Sequence, residues 1–178
     1  MRLSACAGNV SARLALGLAV AACALAPVGA GRAEAEVQAI GRYKDWRVYT
    51  EKVGKDLICF AAVDASDKAP KAVDHGDVTF YIATWKSGSA VNQPSLRVGY
   101  DLRTDIPPEA RIGRSRFRMF AAGPEAFVED SRERSLVDAI KKGSELKVEA
   151  AGKDARTAYH FSLSGSSDAI DKARALCR

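Results

Sequence analysis

The 178-residue chain lacks the sequence motifs that accompany most cofactor and metal chemistry. It contains no glycine-rich nucleotide loop, no His-Glu-x-x-His, no Cys-x-x-Cys and no Gly-x-Ser-x-Gly turn around a nucleophile. Only two histidines are present, and neither has metal-ligand spacing with the other or with the cysteines. The sequence therefore predicts no cofactor, no metal site and no enzymatic activity.

Long apolar runs and a strong charge of one sign are also missing. The longest apolar run, residues 14–25, is about twelve residues long, which is too short to span a bilayer. The formal net charge is +5, and without residues 1–30 the 27 basic residues fall to 25 against 22 acidic ones, a surplus of about +3. This surplus is too small to indicate nucleic-acid binding. We expect no nucleic-acid partner, and no transmembrane segment in the mature chain.

The first thirty residues have the composition of a secretory leader. Residues 1–30 contain no acidic residue, begin with arginines, continue with the apolar run and then reach Pro27. Small residues allow cleavage after Ala30 or, as a second option, after Ala33. The sequence predicts a signal peptide and a periplasmic or cell-surface location in a bacterium. The alternative is lipidation of Cys23, which follows a short lipoprotein-like pattern.

Cleavage of the leader would leave two of the four cysteines. Cys6 and Cys23 belong to residues 1–30, and the mature chain keeps Cys59 and Cys177. Two cysteines in an oxidising compartment predict one disulfide between them. The alternative is a pair of buried free thiols.

After the leader, residues 31–42 show no clear periodicity and are interpreted as a tether, followed by one domain over residues 43–178. Strands are predicted at 46–50, 57–63, 78–85, 95–101, 110–112, 115–120, 126–128, 145–150 and 157–163. The segments 57–63 and 78–85 are apolar on both faces, which is typical of strands covered on both sides. Helices are predicted over 131–142 and from Ser166 or Ser167, as the capping residue, to about 176. Late helices and short connections favour an antiparallel β-sandwich with two short helices in the C-terminal third. The residues expected to be structural are Trp46, Cys59, Trp85, Tyr159, Phe161, Leu163 and Cys177.

The best candidate for an interaction site is a group of arginines. Arg114, Arg116 and Arg118 alternate in a predicted strand and should share one face, with Arg111 nearby. Such a stripe could bind an anionic surface, such as lipopolysaccharide, phospholipid headgroups or a glycan. The alternative is a solvated strand face that discourages edge pairing.

Two other groups invite a catalytic interpretation. His75 has Asp74 and Asp77 beside it, an arrangement that suits a general base or a weak metal site; the alternative is a polar turn, since aspartate and glycine are the usual turn formers. Glu129 and Asp130 form a carboxylate pair, and they stand where acidic residues stabilise a helix N-terminus.

Several segments, in order, resemble the invasion-associated locus B family of exported alphaproteobacterial proteins. They are KDWRVY at 44–49, LICF at 57–60, VTFYI at 78–82, LRVGY at 96–100, AFVED at 126–130, YHFSLSG at 159–165 and the closing helix with Cys177. The resemblance implies a compact β-rich periplasmic or outer-surface domain, and the family name comes from a role in host-cell invasion. Members often carry a cysteine shortly after the first tryptophan. Thr50 stands in that region here, which supports the pairing of Cys59 with Cys177.

The sequence thus indicates an exported, non-enzymatic binding or envelope-associated protein. Its partner would be an envelope component, an anionic glycan or lipid surface, or another protein. The alternatives are an envelope hydrolase that uses the His75 loop and a lipid-anchored structural protein of the envelope.

Overall fold

The computed structural model describes residues 36–178, all within one unit, Glu34–Arg178. The predicted signal peptide at 1–30, its lipidation alternative at Cys23 and residues 31–35 of the predicted tether lie outside the described residues. None of the helices within residues 36–178 is long and apolar enough to cross a membrane.

Eleven short strands and two helices are present in the described part of the chain. The strands are β1 (Val37–Tyr43), β2 (Trp46–Val53), β3 (Asp56–Asp64), β4 (Asp67–Ala69), β5 (Thr79–Trp85), β6 (Gln93–Arg97), β7 (Glu109–Ile112), β8 (Ser115–Ala122), β9 (Glu125–Val128), β10 (Glu145–Ala151) and β11 (Arg156–Ser162). The helices are α1 (Asp130–Lys142) and α2 (Ser166–Leu176). The predicted class, mainly antiparallel β with two helices in the C-terminal third, is confirmed.

The strands form one continuous antiparallel sheet in the order β1-β2-β3-β5-β6-β9-β8-β7-β10-β11-β4. β8 joins the two halves of this sheet, since residues 115–118 pair with β7 and residues 119–122 pair with β9. The halves enclose one core as the layers of a sandwich do. Phe80 on β5 and Phe161 on β11 have ring centroids 5.8 Å apart.

Alternation along the strands decides which side chains enter this core. Trp46 is fully buried, and its Nε1 donates to the carbonyl of Ser162 at 3.0 Å. The fully buried large side chains include Trp46, Val48, Phe80, Ile82, Leu96, Met119, Leu136, Ile140, Leu146, Tyr159, Phe161 and Ile170. Of the residues predicted to be structural, all are buried except Trp85, which is half-buried on the outer side.

Two strands correct the sequence interpretation. The tether predicted at 31–42 is wrong over residues 37–42, because β1 pairs antiparallel with β2. No strand was predicted between 63 and 78, yet this segment contains β4, which pairs with β11. Neither segment alternates in burial as a core strand does. Backbone pairing with a neighbour therefore holds both strands in place, and hydrophobic periodicity could not reveal them.

Both predicted helices are present, with one correction at a cap. On α1 the apolar side chains Leu136, Val137 and Ile140 are buried. On α2 the N-cap is Gly165, with φ +90°, and not Ser166 or Ser167. A Cβ at Gly165 would lie 2.0 Å from the carbonyl oxygen of Tyr43, so only glycine fits there. Ser166 instead donates its buried hydroxyl to the carbonyl of Ile140 at 3.1 Å.

The disulfide between Cys59 and Cys177 is present, as predicted. Their Cα atoms lie 5.8 Å apart and the closed loop spans 118 residues. Cys59 is buried on β3 and Cys177 follows α2, so the bond fastens the C-terminal helix to a central strand. The chain-entropy model gives about 4–5 kcal/mol for a loop of this length.

The expectation that 57–63 and 78–85 are covered on both sides is wrong for the residues described. Their inward side chains are in the core, but the outward ones, such as Phe60 and Tyr81, are only half-buried and line an open groove. The apolar residues on this outer face therefore need another explanation than a second covering layer.

Candidate functional site

The structure places His75 in the interior and not in an open cleft. The residue is 6% exposed. Its Nδ1 lies 3.0 Å from the hydroxyl of Tyr159, and its Nε2 lies 2.9 Å from the carbonyl oxygen of Pro70. Both ring nitrogens are therefore engaged within the fold.

These contacts define a buried hydrogen-bond chain with a direction. The carbonyl of Pro70 can only accept, so Nε2 of His75 carries a proton and a neutral ring accepts at Nδ1 from Tyr159. The Tyr159 hydroxyl in turn accepts from Tyr100 at 2.7 Å, and Tyr100 accepts from Thr157 at 2.6 Å. Burial raises the pKa of Tyr159, which keeps its hydroxyl protonated as the donor.

The two aspartates beside His75 do not approach its ring nitrogens by hydrogen bonds. Asp74 accepts from the backbone N–H of Gly76 at 3.0 Å, as in a polar turn. Asp77 lines a groove on the outer face of the sheet. The geometry supports the turn interpretation of this segment more than a general base. Glu129 is the N-cap residue of α1 without a side-chain capping bond, and Asp130 lies in the first turn, where carboxylates favour the helix dipole.

The arginine group is partly rearranged relative to the prediction. Arg116 and Arg118 project from the same face of β8 and are exposed, as expected. Arg114 is not in the strand. It lies in the two-residue turn between Ile112 and Ser115, beside Gly113. Gly113 has φ +56°, and a glycine in the first position is typical of such hairpin turns.

Carboxylates neutralise part of this charge. Glu109 lies 3.1 Å from Arg111 and 3.7 Å from Arg116. Glu149 pairs with Lys147 at 2.8 Å. The hydrogen bond from Lys147, its charge and those of Arg111 and Arg116 lower the pKa of Glu149. The arginines thus belong to a charge network and not to an isolated stripe.

The surplus of charge on this outer face is nevertheless positive. Two basic residues join the predicted four, because β10 and β11 pair beside β7. We name the resulting surface the basic face. Its basic residues are Arg111, Arg114, Arg116, Arg118, Lys147 and Arg156, and its acidic residues are Glu109, Glu145 and Glu149. A groove of about 570 Å³ crosses it between Pro107 and Thr157.

Sequence reasoning missed Lys147 and Arg156 as members of this surface. Lys147 falls in the predicted strand 145–150 and Arg156 directly precedes the predicted strand 157–163, but nothing local indicated that these strands lie beside β7. β10 lies beside β7 because Lys147 pairs with Arg111, a residue 36 positions earlier in the chain.

A second surface lies on the outer face of the other half of the sheet. Tyr49, Phe60 and Tyr81 form a row across β2, β3 and β5. The first two rings stack at 5.3 Å, and the Phe60 and Tyr81 rings meet at 5.8 Å. The row lies in an open groove of about 530 Å³. The sequence signal was the two-sided apolar character of 57–63 and 78–85.

Searches of protein-family models, curated proteins and solved structures return no match to this chain. Within residues 36–178, no three histidine, cysteine, aspartate or glutamate side chains lie close enough together to hold a metal ion. Within the described residues, the basic face and the aromatic row are the two surfaces that bear on function.

Proposed function

We propose that this chain is an exported, non-enzymatic binding protein of the bacterial envelope, of the invasion-associated locus B kind. It attaches to phosphate-bearing anionic surfaces through the basic face. The resemblance of its ordered segments to that family and the leader-like composition of residues 1–30 support export. The disulfide of Cys59 and Cys177 also supports it, since such bonds persist in oxidising compartments.

One observation carries the proposal: six basic side chains share an exposed surface with three glutamates. A Lys or Arg near an anionic membrane surface contributes about 1 kcal/mol, so a surplus of three gives about 3 kcal/mol. Attachment of this strength is reversible and weakens when salt screens the charges. Both nitrogens of His75 are engaged inside the core, which counts against the hydrolase alternative.

The test measures co-sedimentation with phosphatidylglycerol vesicles, phosphatidylcholine vesicles and lipopolysaccharide. The unmodified protein should bind the anionic vesicles and lipopolysaccharide, not phosphatidylcholine, and should dissociate as salt rises. The variant Arg114→Glu, Arg116→Glu, Arg118→Glu should lose this binding, and the corresponding Gln variant should weaken it without reversing the charge. The matched control Arg134→Glu, Lys142→Glu, Lys172→Glu changes the same charge on exposed helix positions and should bind normally.

Equal loss of binding in both triple variants would show that only net charge matters. No binding by the unmodified protein would refute the proposal. The alternative of a lipid-anchored envelope protein is decided by intact mass, because a mature chain that starts at Gly31 cannot carry a lipid on Cys23.

A further inference from the structure

The open groove over Tyr49, Phe60 and Tyr81 extends beyond the aromatic row. A neighbouring groove of about 640 Å³ shares Thr79, Tyr81 and Arg97 with it and continues to Asp101. We name this joint depression the aromatic groove. Its floor is the outer face of neighbouring strands β2, β3, β5 and β6, and within residues 36–178 nothing covers it.

The aromatic groove is acidic, although the chain as a whole is basic. Its charged lining consists of Arg47, Arg97, Glu51, Asp64, Asp77, Asp101 and Glu125. Both arginines are already engaged, Arg47 with Asp64 and Arg97 with Glu125. The remaining three carboxylates form no ion pair with any other described residue. The lining therefore has a surplus of three negative charges in a chain whose formal charge is +5.

This combination selects for a cationic occupant. Lysine and arginine side chains are attracted to the faces of tyrosine and phenylalanine rings and to unpaired carboxylates. Tyrosine and phenylalanine are also enriched at the centres of protein interfaces. An anionic or neutral ligand would leave the three carboxylates without a counter-charge.

A second feature favours a peptide over a simple polyamine. Arg47 pairs with Asp64, but its side chain is still 41% exposed on the wall of the groove, so its guanidinium can donate a further hydrogen bond to a bound ligand. A peptide chain in the groove offers carbonyl oxygens to the Arg47 guanidinium as well as positive charge, whereas a polyamine offers only charge and donors.

We propose that the aromatic groove is a binding site for an extended, lysine- or arginine-rich peptide segment of a partner protein. The site lies on the other half of the sheet from the basic face, so it is independent of the proposed attachment to anionic surfaces. The molecule would thus present an acidic groove to a cationic partner from one half of the sheet, and the basic face to the envelope from the other.

The test is isothermal titration of the full disulfide-bonded protein with a synthetic ten-residue peptide of alternating lysine and valine. The affinity should fall as salt rises. The variant Glu51→Gln, Asp77→Asn, Asp101→Asn should bind at least about tenfold more weakly, which corresponds to about 1.4 kcal/mol. The control Asp138→Asn, Asp154→Asn, Asp168→Asn removes three exposed carboxylates elsewhere and should bind as the unmodified protein does. Both variants keep side-chain size, and circular dichroism verifies their folding.

Four results would overturn the proposal: no binding of the lysine peptide, equal weakening in both variants, equal binding of a peptide with glutamate in place of lysine, or equal binding of spermine or a neutral oligosaccharide. The groove variant should still co-sediment with phosphatidylglycerol vesicles. If the peptide does not bind, the proposed attachment of the basic face to anionic surfaces is not affected. If the protein does not bind the vesicles, the proposed peptide site in the aromatic groove is not affected.

Discussion

At the scale of single residues, the Tyr159 hydroxyl joins two neighbours in a buried hydrogen-bond chain. It lies between His75 and Tyr100, and both neighbours depend on it to complete their hydrogen bonds. Replacement by phenylalanine keeps the ring in its packing position but leaves Nδ1 of His75 without a donor. A buried group left unsatisfied costs about 1–3 kcal/mol.

We therefore predict that Tyr159→Phe lowers the free energy of unfolding by about 1–3 kcal/mol in urea titration. Tyr81→Phe is the matched control, because the Tyr81 hydroxyl makes no hydrogen bond within the described residues, and it should change stability little. If Tyr159→Phe were as stable as the unmodified protein, the buried chain would have no energetic role.

The residue scale is also where sequence reasoning was weakest. His75 and its flanking aspartates look the same in sequence whether the ring is exposed or buried. Tyr159, which decides the matter, is 84 residues away along the chain. Cys59 and Cys177 were easier, since only two cysteines follow the predicted leader and they allow one possible pair.

At the scale of elements, Asp56 links the beginning of β3 to the turn after β5. One of its carboxylate oxygens accepts from the backbone N–H of Leu57 at 2.8 Å and from that of Ser87 at 3.2 Å. Hydrogen bonding from Ser87, followed by that from Leu57, lowers the pKa of Asp56. A folded-state pKa below the unfolded value means that the ionised carboxylate stabilises the fold above about pH 4. This stability is lost as the pH falls through the lowered pKa.

We predict that Asp56→Asn makes the free energy of unfolding less dependent on pH below about pH 4. Urea titrations at a series of acidic pH values measure this slope. Asp154→Asn, at an exposed turn position, serves as the control and should keep the slope of the unmodified protein. An unchanged slope in Asp56→Asn would mean that its carboxylate does not couple folding to protonation.

The strands and helices that were predicted correctly have a regular spacing of apolar residues within their own sequence. β10 and β11 alternate between buried and exposed side chains, and α1 has its apolar stripe, so local pattern was enough. β1 and β4 depend on pairing with β2 and β11 and have no such pattern. The two-sided strands β3 and β5 were found, but the second apolar side was assigned to a covering layer. It forms the aromatic groove instead.

At the scale of the whole molecule, charge is distributed between the two halves of one sheet. The basic face lies on the half formed by β7, the first part of β8, β10 and β11, and the aromatic groove lies on the half formed by β2, β3, β5 and β6. The net charge of the chain does not reveal this division, because the positive charge of the basic face and the negative charge of the aromatic groove largely cancel. The sequence shows which residues are charged, but it does not show which strands pair and so which charged residues lie on one surface.

We propose that the basic face, and not the aromatic groove, meets the anionic surface. The most direct test records amide NMR signals of the protein with phosphatidylglycerol vesicles that contain a gadolinium-chelating lipid, which broadens signals from nearby amides. We predict the greatest loss of intensity between Glu109 and Arg118, with Tyr49 and Tyr81 largely unaffected. If the greatest loss fell at Tyr49 and Tyr81, or if the loss were uniform over the whole domain, the basic face would not be the surface that meets the vesicle.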